Sequence, residues 1–206
     1  MPAHSPRRKL LAMSVPNWSD YLKASLDKPL HPIWEHIDPY LKSGMVALDL
    51  GCGAGGAALH MLEMGLKVIA VDQEPEALEL TRSRLPEGAE AHLVKSQFQD
   101  IGFDEASLDL VFAGFSIFFL RAWEFGPVWQ RLLKSLKPGG IFAGQLLGVN
   151  DDWADRGYVL HTKPEVESLL HPFEILYLEE VERDGETLLR QPKHWHVFHV
   201  VARKLP

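Results

Sequence analysis

The chain has a single cysteine among its 206 residues, too few for a disulfide framework and in keeping with a reducing compartment. No apolar run approaches the roughly 18 residues that a membrane-spanning helix needs. Internal repeats and low-complexity blocks are missing as well. Positive charge is in short supply, with 21 Lys and Arg against 28 Asp and Glu. The resulting formal charge of −7 repels phosphate backbones and makes nucleic acid a disfavoured partner. The first residues carry Arg7, Arg8 and Lys9 before a very short apolar patch. A signal peptide needs a longer apolar core and a small-residue cleavage site, so residues 1–16 are expected to be a flexible tail and the location cytoplasmic.

What is present is an ordinary globular composition, 46% hydrophobic, enough to bury a sizeable core in one domain. Apolar runs alternate with amphipathic stretches. Strands are expected at 45–50, 66–71, 91–94, 108–113 and a fully apolar 141–147. Helices are expected from Asn17 or Ser19 onward, at 33–41, 57–64, 76–85 and 123–136, the last broken by Lys137-Pro138-Gly139-Gly140. This order predicts an α/β fold, a doubly wound and mainly parallel sheet covered on both faces. After a helix at 163–170, two strands (173–182 and 194–203) turn at Arg183-Asp184-Gly185 and suggest an antiparallel hairpin closing the sheet edge.

The chemistry concentrates at two strand ends. Val46-Ala47-Leu48-Asp49-Leu50 runs into Gly51-Cys52-Gly53-Ala54-Gly55-Gly56, and Val68-Ile69-Ala70-Val71 ends in Asp72. Gly51 and Gly53 permit close backbone approach to a ligand. Asp72, at the tip of the next strand, is placed to accept hydrogen bonds from both hydroxyls of a ribose. Asp49 stands where dinucleotide-binding chains keep the strand end apolar. A carboxylate there repels a pyrophosphate and attracts a cationic amino-acid moiety, which S-adenosylmethionine carries.

Asp49 to Gly55, Ala70-Val71-Asp72, Ser107-Leu108-Asp109-Leu110-Val111 and Leu136 to Gly140 occur in the order and spacing of a known family. Over residues 18–144 the chain resembles the class I S-adenosylmethionine-dependent methyltransferases. The resemblance implies a seven-stranded Rossmann-like sheet with an antiparallel C-terminal strand. It divides residues 17–206, read as one domain, into a helical cap (17–44), a cofactor-binding core (45–147) and a sheet-edge hairpin with an acceptor-side loop (148–206). It further implies Gly51 and Gly53 along the methionine part, Asp49 supporting its amino group, Asp72 on the ribose and Gln73 near the adenine. The acid that the family often places after the third strand is replaced by Ser96-Gln97-Phe98. Gln97 can receive the adenine amino group with Phe98 over the ring, and Asp100 is the fallback. The ending 193–204 resembles that of small bacterial methyltransferases of the tellurite-resistance-like group.

Other residues invite weaker readings. Asp109 begins the fourth strand, away from the ligand edge, and reads as a capping or packing residue. Cys52 lies inside the turn without a catalytic partner. His194 and His196 share one strand face and His199 the other, a poor arrangement for a metal, and structural or substrate-lining roles are expected. No catalytic base is assigned; His161 is the one candidate. Trp18, Tyr21, Phe115 and Trp153 are candidates for an acceptor pocket, with Trp18 and Tyr21 alternatively capping the core. Phe118 and Phe119 read as core, and Asp151 and Asp152 as solvated loop charges. No Asn-Pro-Pro-Tyr, Asp-Pro-Pro-Tyr or Pro-Cys segment is present, and no added domain for a protein substrate is evident. The expected acceptor is therefore a small molecule or inorganic oxyanion. An NAD-linked oxidoreductase and a non-catalytic nucleoside-sensing module stay open as rivals, and the oligomeric state is not readable.

Overall fold

The computed structural model describes residues 17–206, and the tail expected over 1–16 lies outside them. Val46–Leu50 (β1) and Leu108–Ala113 (β4) are almost wholly buried, as central parallel strands covered on both faces must be. With Lys67–Asp72 (β2), Ala91–Lys95 (β3) and Leu136–Gly148 (β5) they form a parallel sheet. Phe173–Glu186 (β7) and Pro192–Lys204 (β8) complete it, and β8 inserts antiparallel between β5 and β7. The order is β3-β2-β1-β4-β5-β8-β7, with the two-residue Leu160–His161 (β6) pairing β5 beside that path. This is the doubly wound, mainly parallel sheet anticipated from the alternation of elements.

Ala122–Ser135 (α4) and Lys163–Leu169 (α5) pack Phe125, Trp129, Leu132 and Val166 onto one face. Gly56–Glu63 (α2) and Pro75–Arg84 (α3) pack Ala58, Met61 and Leu78 onto the other, beside Ile33, Trp34 and Ile37. The short Trp18–Ser25 (α1), capped by Asn17, lies over the carboxyl ends of the strands. No helix among the described residues is long and apolar enough to cross a membrane.

Four sequence expectations need correction. The helix expected at 33–41 is two 3-10 turns, Pro32–His36 and Asp38–Tyr40. Pro39 has no N–H to give and its ring would clash with the carbonyl four residues back. Arg183, Asp184 and Gly185 do not turn; they pair with Trp195, His194 and Lys193, and the chain reverses at 187–191. His194 holds the ladder together there, its ring bonding Asp184 at 2.7 Å and Glu182 at 3.4 Å. The fifth strand is not fully apolar, because Gln145 sits fully buried within it.

Asp151 is likewise no solvated loop charge. Its carboxylate is buried, accepts from the Lys193 ammonium, and takes the N–H groups of Trp153 at 2.9 Å and His196 at 3.1 Å. The Lys193 ammonium also sits 3.9 Å from the Trp195 ring centre and 4.4 Å from that of Trp153. The pair bolts the loop after β5 to β8. Asp152 is the exposed neighbour, accepting the His194 N–H at 2.6 Å. Removing one member of a buried pair strands the other charge at a cost of about 3–5 kcal/mol. Asp151→Ala is therefore expected to lower unfolding stability by about that amount, and the double change Asp151→Leu with Lys193→Met to recover most of it. Urea denaturation of the three proteins measures both; a neutral single variant would contradict the account.

Candidate functional site

The strand order reverses between β1 and β4, and the crevice at such a switch point is where open α/β sheets take ligands. A cavity of about 570 Å³ opens there, floored by the strand ends and roofed by α1. Its floor is set by main-chain bonding. The N–H groups of Gly51 and Cys52 both donate to the Val71 carbonyl, at 2.8 and 3.0 Å, and tie the glycine turn to the end of β2. Gly51 has φ +82°, and a Cβ there would stand 2.5 Å from the Ser116 Cβ. The close neighbour that demands glycine is thus the protein's own β4 tip, whose Ser116 hydroxyl donates to the Leu50 carbonyl.

Asp72 does more than the strand-tip pattern suggested. One carboxylate oxygen accepts the Gly53 N–H at 3.0 Å and the other the Glu74 N–H at 2.9 Å, so the acid organises the turn that it faces. Thr81, buried on α3, donates to the Gly53 carbonyl at 3.1 Å. Burial still outweighs these bonds and raises the Asp72 pKa.

Asp49 is buried deeper, and its Oδ2 has no hydrogen-bond partner among the described residues. Loss of solvation, with the nearby Asp72 charge adding to it, pushes its carboxyl up to about 7, against a weaker opposing bond from the Ala58 amide. A buried acceptor without a partner, beside a second carboxylate, fits a cationic amino group and not a phosphate. In that respect the chain's residues suit S-adenosylmethionine. Asp49 would face its amino group, the 51–53 turn its methionine chain, and Asp72 its ribose through the lone pairs left free by the amides.

Gln73, Gln97 and Phe98 also border the cavity. Phe98 lies against the turn, its ring 3.2 Å from where a Gly51 Cβ would be, and Arg131 of α4 pins its loop through the carbonyls of Phe98 (3.1 Å) and Gln99 (2.7 Å). The Gln97 side-chain carbonyl already accepts from Gln99 at 2.5 Å, which leaves one lone pair for a ligand. Asp100 is exposed and does not border the cavity.

Of the acceptor-side candidates, Trp18, Tyr21 and Phe115 border this cavity and also a larger one of about 980 Å³ beside it, whereas Trp153 borders only the larger. Phe119 borders both, and Phe118, fully buried, borders the larger. Phe115 is held at φ +52° with its N–H on Gln145 Oε1 at 3.0 Å. Lys28 and His31 also border both cavities, while Gln145 borders the first and His199 the larger; of these four the sequence singles out His199 alone. A buried Gln interrupting an apolar strand was the one available signal.

The remaining residues have structural partners. Asp109 accepts the Val46 N–H at 2.8 Å and pairs with Lys137 at 2.7 Å, a packing role at the far end of β4. Burial and the carboxylates of Asp49 and Asp72 push the Cys52 thiol up, so it does not form a thiolate nucleophile. His196 bonds Glu180 at 3.1 Å and accepts the Asn150 N–H at 3.2 Å. Among the described residues no group of three or more His, Cys, Asp or Glu is placed to hold a metal ion. His161 packs against Phe125, away from both cavities.

The Asp49 environment has a consequence for pH. Its carboxyl binds a proton more tightly in the folded than in the unfolded chain. Its contribution to stability is therefore complete below about pH 4 and lost as pH rises through about 7. Relative to Asp49→Asn, the ligand-free protein is expected to lose stability between pH 4 and 7, measured by thermal unfolding. A cationic ligand needs the carboxylate, so S-adenosylhomocysteine affinity should rise from pH 6 to 8, and the Asn variant should flatten that rise. A slope unchanged by the substitution would remove Asp49 from the ligand.

Residues 47–140 match the family described as a methyltransferase domain. An uncharacterized methyltransferase of Synechocystis is 30% identical over 103 residues, covering 50% of this chain and 47% of that protein. The chain spans about half the length of the curated relatives it matches, or somewhat less. An S-adenosylmethionine-dependent methyltransferase from Methanosarcina mazei superposes with a TM-score of 0.68 at 22% identity, over 86% of this chain and 99% of its own. The 1,6-didemethyltoxoflavin-N1-methyltransferase of Burkholderia thailandensis, solved with 1,6-didemethyltoxoflavin and S-adenosylhomocysteine, superposes with a TM-score of 0.66 at 22% identity, over 100% and 94%. Residues 47–140 thus match the methyltransferase-domain family, and the chain shares its doubly wound fold with solved S-adenosylmethionine-dependent methyltransferases.

Proposed function

We propose that the protein is an S-adenosylmethionine-dependent methyltransferase whose acceptor is a small molecule held in the larger, aromatic-lined cavity. The unpartnered Asp49 oxygen beside the Asp72-ordered turn carries the reading, because it calls for a cationic nucleoside ligand. S-adenosylmethionine supplies an electrophilic methyl group on a sulfonium. The chain's part is to hold the nucleoside end rigidly, to orient an acceptor against it and to exclude water. Trp18, Tyr21, Phe115 and Phe119 border both cavities and form the boundary across which donor and acceptor would meet. The Burkholderia enzyme, of similar fold, was solved with 1,6-didemethyltoxoflavin bound and supports the small-molecule class. The finer grouping with the tellurite-resistance-like enzymes rests on residues 193–204 and places tellurite and selenite in the acceptor screen.

Thermal shift with S-adenosylhomocysteine against NAD tests the cofactor, with stabilisation expected from the first alone. A labelled-methyl screen over thiols, phenols, carboxylates, tellurite and selenite tests turnover; saturable binding with no transfer to any acceptor would favour a sensor. Asp72→Ala is expected to weaken nucleoside binding by about 1–3 kcal/mol, from stranded hydroxyls and the loosened Gly53 turn. Trp18→Ala and Tyr21→Phe should reduce turnover more than nucleoside affinity, and equal losses in calorimetry and kinetics would move both residues out of the acceptor pocket.

A further inference from the structure

The larger cavity runs against the charge of the molecule. Lys28, Arg156, Arg183 and Arg190 border it, and the one acid on its walls among the described residues, Glu186, is engaged by Arg190 at 3.2 Å. Lys28, Arg156 and Arg183 have no carboxylate at ion-pair distance among the described residues, and residues 1–16 contain no Asp or Glu. Arg156 points to a ligand most directly. Its guanidinium stands 5.0 Å from the Trp153 ring centre, and its Nε is buried without a hydrogen-bond partner among the described residues. In a chain of net charge −7, three unpaired cations around one concavity focus a positive potential on it.

Two histidines fix the sense of hydrogen bonding on the same walls. Gln145 Oε1 accepts the Phe115 N–H, so its amide nitrogen is the atom 3.3 Å from His199 Nδ1. An amide donor requires a lone pair on Nδ1, and neutral His199 therefore keeps its proton on Nε2. His31 Nδ1 accepts the Ile33 N–H at 3.1 Å, with the same result. The rings stack at 4.7 Å, and burial lowers both pKa values, that of His31 to about 4, so both are neutral near pH 7. Each ring offers an N–H, not a lone pair, on the nitrogen that the protein leaves free. The pair can donate to an acceptor atom but is not set up to remove a proton.

The walls between these donors are aromatic. Trp195 and His199 alternate with Val197 along one face of β8, and Phe115 meets Trp195 at 6.0 Å and His199 at 6.2 Å, edge to face in both cases. Such surfaces favour a flat π-system as guest.

We infer that the larger cavity binds a planar aromatic anion, its ring among Phe115, Trp195 and Tyr21 and its charge received by the unpaired cations and the two imidazole N–H groups. Its role as methyl acceptor rests on the methyltransferase reading above; the anion site itself does not. An acceptor that arrives already ionised also needs no base, in keeping with the donor sense of the two histidines.

The test is calorimetric titration of the S-adenosylhomocysteine-saturated protein with three probes: 2-naphthoate, its neutral isostere 2-naphthamide, and the non-aromatic anion cyclohexanecarboxylate. Naphthoate is expected to bind at least tenfold more tightly than either of the others. Lys28→Gln and Arg156→Gln should each weaken naphthoate at least fivefold while leaving naphthamide unchanged. Naphthamide binding as tightly as naphthoate, no naphthoate binding, or variants that keep the full preference would overturn the inference. Absence of nucleoside uptake in the first step would instead count against the methyltransferase reading, and the same probe series run without nucleoside then decides the anion site by itself.

Discussion

The register of β1 against β2 governs the site. Asp49 pairs with Ala70 and Leu50 with Val71, which brings the two strand ends level and sets both acids in one desolvated crevice. A carboxylate in such surroundings holds its charge only with help. Asp72 has that help in two turn amides, and in accepting them it shapes the glycine turn. Asp49 keeps one oxygen bare. The difference divides the work: one acid builds the floor of the cavity, and the other is left with a demand that a cation answers.

The second half of the chain supplies what the parallel core lacks. Inserting β8 beside β5 carries Trp195, Val197 and His199 to the wall facing α1 and the 3-10 turns. The Asp151–Lys193 pair fixes the loop between, and Lys193 lies against Trp153 and Trp195 from behind. The result is two adjoining cavities of opposite character. One is floored by carboxylates, the other rimmed by cations and lined with aromatic rings. A sulfonium nucleoside and an anionic acceptor would be drawn to separate compartments, which opposes exchange of the two ligands.

Legibility from the sequence varied with how local the determining physics is. Strand and helix positions in the core followed from hydrophobic periodicity, and β4 falls on the expected residues. The glycine turn and its acids were legible because their spacing is fixed by one βαβ unit. The stretch 33–41 breaks into 3-10 turns because the missing N–H of Pro39 outweighs an apolar pattern over so short a segment. The hairpin turn was misplaced because Asp184-Gly185 has turn chemistry, yet His194 on the partner strand holds those residues in the ladder. Asp151 was misread since its partner lies 42 residues away.

By itself the sequence determined the mainly parallel sheet, the glycine turn and the two strand-end carboxylates, since each follows from periodicity, glycine conformation and side-chain charge within a few turns of chain. Tertiary structure decided the rest. The bare oxygen of Asp49, the tautomers of His31 and His199 and the positive rim of the larger cavity depend on which groups meet across the fold. Hydrogen bonding and desolvation act through space, and no spacing along the chain encodes which of them a buried atom will feel.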